Sequence, residues 1–218
     1  MKPTDIAQPD YFHKVVDCQW ACPAHTPVPE YIRLIAQGRY DDAYLVNWKS
    51  NVFPGILGRT CDRPCEPACR RVRVEEGSPE HRKAHAKPEA VAICRLKRAA
   101  ADYKGDIRPH LPKPAAKGNG KRVALVGAGP ASLTVARDLA PHGYHCVVFD
   151  GDPKAGGMMR TQIPKFRLPD RVIDEECGYV LDLGVEFRAG TRVDSMAALL
   201  AEGYDAVFVG SGAPRGRD

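Results

Sequence analysis

Six of the chain's eight cysteines fall within its first 94 residues, five of them in two tight groups. The first is Asp17-Cys18-Gln19-Trp20-Ala21-Cys22-Pro23. The second is Cys61-Asp62-Arg63-Pro64-Cys65-Glu66-Pro67-Ala68-Cys69. Cys94 follows alone, and Cys146 and Cys177 are isolated. An evenly scattered disulfide framework does not look like this. The start of the chain also lacks the apolar stretch of a secretory signal. Clustered thiols in a cytosolic chain are more often metal ligands, so a cytoplasmic location is expected. A shared metal group would force the two cysteine segments together, which limits the folds open to this region.

The spacing speaks to the metal. Zinc sites usually repeat Cys-x2-Cys hooks. Here each step within a group is Cys-x3-Cys, and Pro23 follows Cys22. A Cys-x3-Cys-Pro step occurs in two-cluster ferredoxins, where neighbouring cysteines serve different clusters. Iron–sulfur ligation is therefore favoured. Zinc and spare buried thiols remain open on spacing alone. Cys146 and Cys177 read as packed thiols.

Between the groups the pattern is helical. Residues 28–37 and 39–48 read as two short helices, with Pro29 and Glu30 suited to a first turn and Gly38 to a stop. A third helix is expected over about 88–103. Val91, Cys94, Leu96 and Ala99 give it an apolar side, and Arg95, Lys97 and Arg98 a basic one. Residues 70–87 are charged and read as a solvated loop. His81 and His85, four apart within it, lack an apolar face and a third ligand. The arginines of 70–73 and the basic side of the third helix read as a solvated face, or as docking for an acidic partner.

Residues 105–121 hold three prolines and two of the chain's glycines beyond Gly105 and read as a linker. The expected domains are 1–104, helical, and 122–218, α/β. RVALV (122–126) is an apolar run fit for a buried parallel strand. Gly127-Ala128-Gly129-Pro130-Ala131-Ser132 follows, then a helical stretch, then HCVVF (145–149) ending at Asp150. Gly127 suits a tight turn, and Gly129 lets a pyrophosphate approach the helix N-terminus. Asp150, 23 residues after Gly127, stands where an acid binds ribose hydroxyls. Ser132 replaces the usual third glycine. The adjacent Gly156 and Gly157, followed by Met158, favour FAD as the dinucleotide. A strand over 206–210 leads into a second glycine motif ending in Gly212. Further strand and helix signals lie at 185–188 and in MAALLAEG.

Taken together, these pieces resemble the small-subunit family of NADPH-dependent glutamate synthase and the N-terminal region of dihydropyrimidine dehydrogenase. The resemblance is carried by Cys22-Pro23, Gly58 to Cys69, VAICRLKRAAADY (91–103), VALVGAGPASL (123–133), Gly156-Gly157 with IPKFRLP (163–169), GVEFRAG (184–190) and YDAVFVGSGA (204–213). It implies a helical [4Fe–4S] domain followed by a Rossmann-like FAD domain of the glutathione-reductase type (GR2), here only its first half. It also implies electron flow from NAD(P)H to FAD, then through clusters to a protein partner.

The sequence departs from the family in four ways. The leading Cys-x2-Cys is missing, since residues 1–17 contain no cysteine. In the family, the cysteines matching Cys18 and Cys69 serve the cluster that needs that pair. Those matching Cys22, Cys61 and Cys65 serve the other. One cluster is therefore expected, on Cys22, Cys61 and Cys65, with a second possible. The family's fourth ligand, Glu or Gln, is here Lys97. Cys94, one helical turn earlier, is the expected substitute, with Cys18 or Cys69 as rivals. Thr161-Gln162 replaces the family's Tyr-Gly before Ile163-Pro164. Finally, the chain ends at Asp218, before an NADPH domain, so NAD(P)H binding is expected only of a fuller protein. A non-catalytic electron relay and a zinc-stabilised interaction module are the competing functions. The net charge of +5 does not argue for nucleic acid, and no apolar run suggests a membrane span. No acid–base catalyst is expected.

Overall fold

The computed structural model describes residues 16–73 and 89–213. The chain forms two compact units that divide between Ile107 and Arg108.

The first unit is helical. Among its described residues, α1 spans Asp17–Ala21, α2 Val28–Ala36, α3 Tyr40–Ser50, α4 Pro54–Thr60, α5 Arg70–Arg73 and α6 Ile93–Tyr103. Pro29 stands in the first turn of α2, where a missing N–H costs nothing, and Glu30 favours the same end. Val28, Tyr31 and Leu34 recur at helical spacing and are buried on one face. They pack with Ala43 of α3, Ile93 and Ala100 of α6, and Cys65. The Tyr31 hydroxyl is fully inside and donates to the Ile93 carbonyl at 3.1 Å.

The third helix differs from the expectation in two respects. It begins at Ile93 rather than near 88, and its buried face is Ile93, Cys94, Lys97, Ala100 and Ala101. Lys97, expected on a solvated basic side, is 5% exposed. Its start is set from a distance: Glu66 accepts the Cys94 backbone N–H at 3.1 Å and so satisfies a first-turn donor. Residues 70–73, expected in a loop, form the short α5. His81, His85 and the rest of that loop lie outside the described residues.

The second unit is a parallel sheet with helices. β1 is Arg122–Val126, α7 Pro130–Leu139, β2 His145–Phe149, α8 Met158–Thr161, α9 Asp170–Leu181, β3 Glu186–Arg188, α10 Met196–Ala201 and β4 Ala206–Val209. The strands lie in the order β3-β2-β1-β4. Val123 aligns with Cys146 on one side and Ala206 on the other. Both central strands are buried along most of their length, as a continuous apolar run predicts. The chain lays β1, β2 and β3 outward in sequence, then returns to place β4 on the other side of β1. The strand order thus reverses at β1, and crevices at such reversals are where open α/β sheets bind ligands. Within the stretch expected as a linker, Ile107 is fully buried and Leu111 nearly so. Asn119 donates its N–H to the Gly143 carbonyl at 2.9 Å.

Candidate functional site

The glycine loop after β1 occupies the reversal point. Gly127 has φ +94°, a backbone conformation that L side chains rarely adopt. A Cβ there would stand 2.6 Å from the Gly210 carbonyl oxygen, just past β4. The Gly156-Gly157 pair closes the same loop from the other side. The Gly156 N–H donates to the Ala128 carbonyl at 2.8 Å. A Cβ on Gly157 would meet the Gly129 Cα at 2.9 Å. No side chain caps α7 at Gly129, and Pro130 fills its first position, so the helix presents Ala131 and Ser132 at an uncapped N-terminus. Such an end favours a phosphate. A Cβ on Gly129 would come no closer than 4.0 Å to anything, which leaves backbone open to a ligand there.

The acid after β2 is already engaged. One oxygen of Asp150 accepts from Ala128 N at 2.5 Å and the other from Asp152 N at 2.8 Å. It braces the glycine loop and keeps lone pairs for a further donor. Ser132 is fully buried, and its hydroxyl has no partner. A Cβ on Gly210 would clash with it, so Ser132 and Gly210 pack as the small pair a third glycine otherwise provides. Met158 is 55% exposed beside Gly157. Gly212 has φ +68° and open space around it. These residues gather three glycine segments and an uncapped helix N-terminus at one end of the sheet.

The cysteines of the first unit fall into two overlapping groups. Cys61, Cys65 and Cys94 are near enough to shift one another's thiols. Cys22 is close enough for its charge to act on Cys65. Cys18 is near Cys69, and it also packs against the core cluster that contains Cys65. An ion pair from Arg70 to Asp17, at 3.1 Å, fastens the segments that carry this second pair. All six thiols are free of disulfides. Cys65, Cys69 and Cys94 are buried; Cys18, Cys22 and Cys61 are half-buried.

Mutual proximity, burial and Lys97 set the electrostatics of the first group. A hydrogen bond to Cys94 and burial push the Cys61 thiol well up. Cys94 itself is raised to about 11; Cys61 favours its thiolate, and Cys65 and burial outweigh this. Donation from Cys94 holds Cys65 below the usual thiol range. Lys97 favours the thiolate at all three. Burial raises the Tyr31 hydroxyl, and Cys65, Cys94, Cys18 and Cys22 raise it further, so the phenol stays neutral. The Arg63 backbone N–H donates to Cys61 Sγ at 3.3 Å. Cys22 Sγ is 3.5 Å from the Thr26 hydroxyl. Among the described residues, no three His, Cys, Asp or Glu side chains converge as around a single ion. Each thiolate of a four-iron cluster binds its own iron, so its ligands need not converge so tightly. Four soft thiols, two of them buried, with Lys97 acting on three of them, fit such a cluster.

The cysteine grouping and glycine motifs were legible in the sequence. Thr26, Asn51, Glu66 and the inward turn of Lys97 were not. The only local signal for Lys97 was its three-residue spacing from Cys94, which places both on one helix face.

The comparisons with known proteins agree with this layout. Residues 11–108 match the family described as dihydropyrimidine dehydrogenase domain II, 4Fe-4S cluster. Residues 125–202 match the NAD(P)-binding Rossmann-like domain family. The chain is 36% identical to the NADP(+)-dependent formate dehydrogenase subunit beta of Moorella thermoacetica, over 89% of this chain and 29% of that protein. It is 34% identical to the NADPH-Fe(3+) oxidoreductase subunit beta of Geobacter sulfurreducens, over 98% of this chain and 31% of the relative. It is also 34% identical to the glutamate synthase [NADPH] small chain of Escherichia coli, over 89% of this chain and 39% of that one. The chain thus spans about a third of the length of these curated relatives. Among the described residues, no helix is long and apolar enough to cross a membrane.

Proposed function

From a chain that joins a helical 4Fe–4S domain to a Rossmann-like NAD(P)-binding domain, and is kin to the glutamate synthase small chain, we propose an electron-transfer role. It forms the cluster-and-flavin portion of a cytosolic NAD(P)H-linked oxidoreductase and passes electrons to or from a protein partner. One [4Fe–4S] cluster is held by Cys22, Cys61, Cys65 and Cys94. FAD lies with its pyrophosphate on Gly127, Gly129, Pro130, Ala131 and Ser132, and with Gly156, Gly157, Met158 and Gly212 around it. NAD(P)H is handled by the longer protein.

The observation that supports this reading is the gathering of thiols about Tyr31. Cys22, Cys65 and Cys94 all act on its hydroxyl, and Cys94 also neighbours Cys61; Cys18 acts there too and on Cys69, which keeps it the rival fourth ligand. If a second cluster forms on Cys18 and Cys69, its other ligands come from another chain.

When bound, flavin accepts electrons in pairs and an iron–sulfur cluster relays them singly. The chain's own residues supply the setting. The buried faces of α2 and α6 keep water from the thiols, and Lys97 offsets their negative charge. Asp150 holds the glycine loop open to a phosphate by taking the Ala128 N–H. Glu66 fixes the start of α6 and with it the place of Cys94.

Alanine replacement of single cysteines tests the assignment. C61A, C65A and C94A should abolish the visible absorbance of an anaerobically purified chain, whereas C18A and C69A should keep it. Loss in C18A with retention in C94A would reverse the fourth-ligand assignment.

A further inference from the structure

Thr26 and Asn51 are both polar and both buried, at 1% and 5% exposure. They lie 25 residues apart and meet beside Cys22. Asn51 Nδ2 donates to Thr26 Oγ1 at 3.0 Å, and Thr26 Oγ1 stands 3.5 Å from Cys22 Sγ. Asn51 Oδ1 has no partner. A buried amide oxygen without a partner is costly.

The Thr26 oxygen accepts from Asn51 Nδ2, which leaves the hydroxyl proton to be donated elsewhere. A free Cys22 thiol can donate to Thr26 or accept from it, and both are compatible with the Asn51 contact. A metal-bound thiolate has no proton and accepts only, so Thr26 is then the donor. Each partner can adopt the required role, because a hydroxyl is both donor and acceptor and an amide offers either end.

We propose that Thr26, oriented by Asn51, is a positioning residue that donates a hydrogen bond to the Cys22 thiolate and raises the reduction potential of the cluster bound there. This deepens the proposed function and rests on Cys22 being a ligand. Hydrogen bonds to cluster sulfurs stabilise the more negative, reduced state, and outer-shell partners tune bound metals in this way. A hydroxyl shielded from solvent exerts more force than one in water.

The test is an EPR-monitored redox titration of the anaerobically purified full chain, with iron and sulfide quantified. T26V keeps the shape and removes the donor; T26S keeps the donor. T26V should shift the midpoint to lower potential, T26S should stay near wild type, and N51A should shift in the direction of T26V by less. Resonance Raman of the wild type in D2O should show an isotope shift of an Fe–S(Cys) band that T26V loses. An intact T26V cluster with wild-type midpoint and the same D2O response overturns the inference. If T26V does not load, T26A takes its place in the titration. If neither loads while T26S does, the hydroxyl serves assembly rather than potential, and the inference also fails. Failure of the ligand assignment looks different: wild type without acid-labile sulfide, or C22A with an unchanged cluster.

Discussion

Gly58 lies inside α4, where that helix crosses α6. A Cβ at Gly58 would stand 2.7 Å from Arg98 N and 2.8 Å from Arg98 Cα. Comfortable carbon contacts are about 3.5–4.0 Å, so G58A must push the two helices apart by roughly 1 Å. The opposing atoms are backbone and cannot swing away as a side chain would. Overpacking of this kind costs about 1–3 kcal/mol, and a backbone clash belongs at the upper end. Alanine returns up to about 1 kcal/mol in helix propensity. The net expectation is a loss of about 2 kcal/mol. At roughly 4–8 °C per kcal/mol for a unit of this size, Tm of the helical unit should fall by about 8–16 °C. The same displacement parts Cys61, which follows α4, from Cys94 on α6, so iron content should fall too. Gly178 is the control. It lies inside α9, and a Cβ there meets nothing within 4 Å. G178A should stabilise its unit by about 0.5–1 kcal/mol. Thermal unfolding of the full chain by circular dichroism reads both. If G58A raises Tm as G178A does, propensity alone is acting and the close crossing of α4 on α6 is wrong.

Other consequences are sharper in sign than in size. Y31F removes the phenol's bond to the Ile93 carbonyl, which keeps its helical acceptor role, and should cost about 0.5–1.5 kcal/mol in urea unfolding; an unchanged midpoint would refute a net contribution from that bond. Burial works to raise the Asp102 carboxyl, but Arg59 at 2.5 Å, together with Arg98, holds it below the usual carboxylate range. Its contribution is therefore present above about pH 4, the ordinary aspartate value, and lost as pH falls through the lower folded value. An acid titration of D102N against wild type should show a smaller stability loss in the variant over that window. G157A forces a side chain against Gly129 at φ +50° and should lower FAD affinity at least tenfold in a fluorescence-quenching titration of the full chain. Equal affinity would remove the glycine pair from the dinucleotide cradle.

The elements that were legible from sequence are those whose partners impose a simple local pattern. RVALV and HCVVF are buried on both faces, so their apolar runs mark β1 and β2 to the residue. β3 and β4 lie at the sheet's ends, carry mixed burial, and begin or stop one residue from the expected place. The start of the helix carrying Cys94 has no local signal, because the group that satisfies its first turn is Glu66, 28 positions earlier. The burial of Lys97 runs against its charge, and only the surrounding thiols make an interior where an ammonium is stabilised. Thr26 and Asn51 carried no signal at all. Their meaning exists only once α2 and α3 bring their flanking turns to Cys22.

The most direct test of the central claim is the iron, acid-labile sulfide and flavin content per chain after anaerobic purification. About four irons with about four sulfides are expected, the complement of one [4Fe–4S] cluster, with FAD rather than a nicotinamide nucleotide as the dinucleotide bound when supplied. About eight irons would contradict the single-cluster assignment to Cys22, Cys61, Cys65 and Cys94. Zinc without sulfide would contradict the electron-transfer account as a whole.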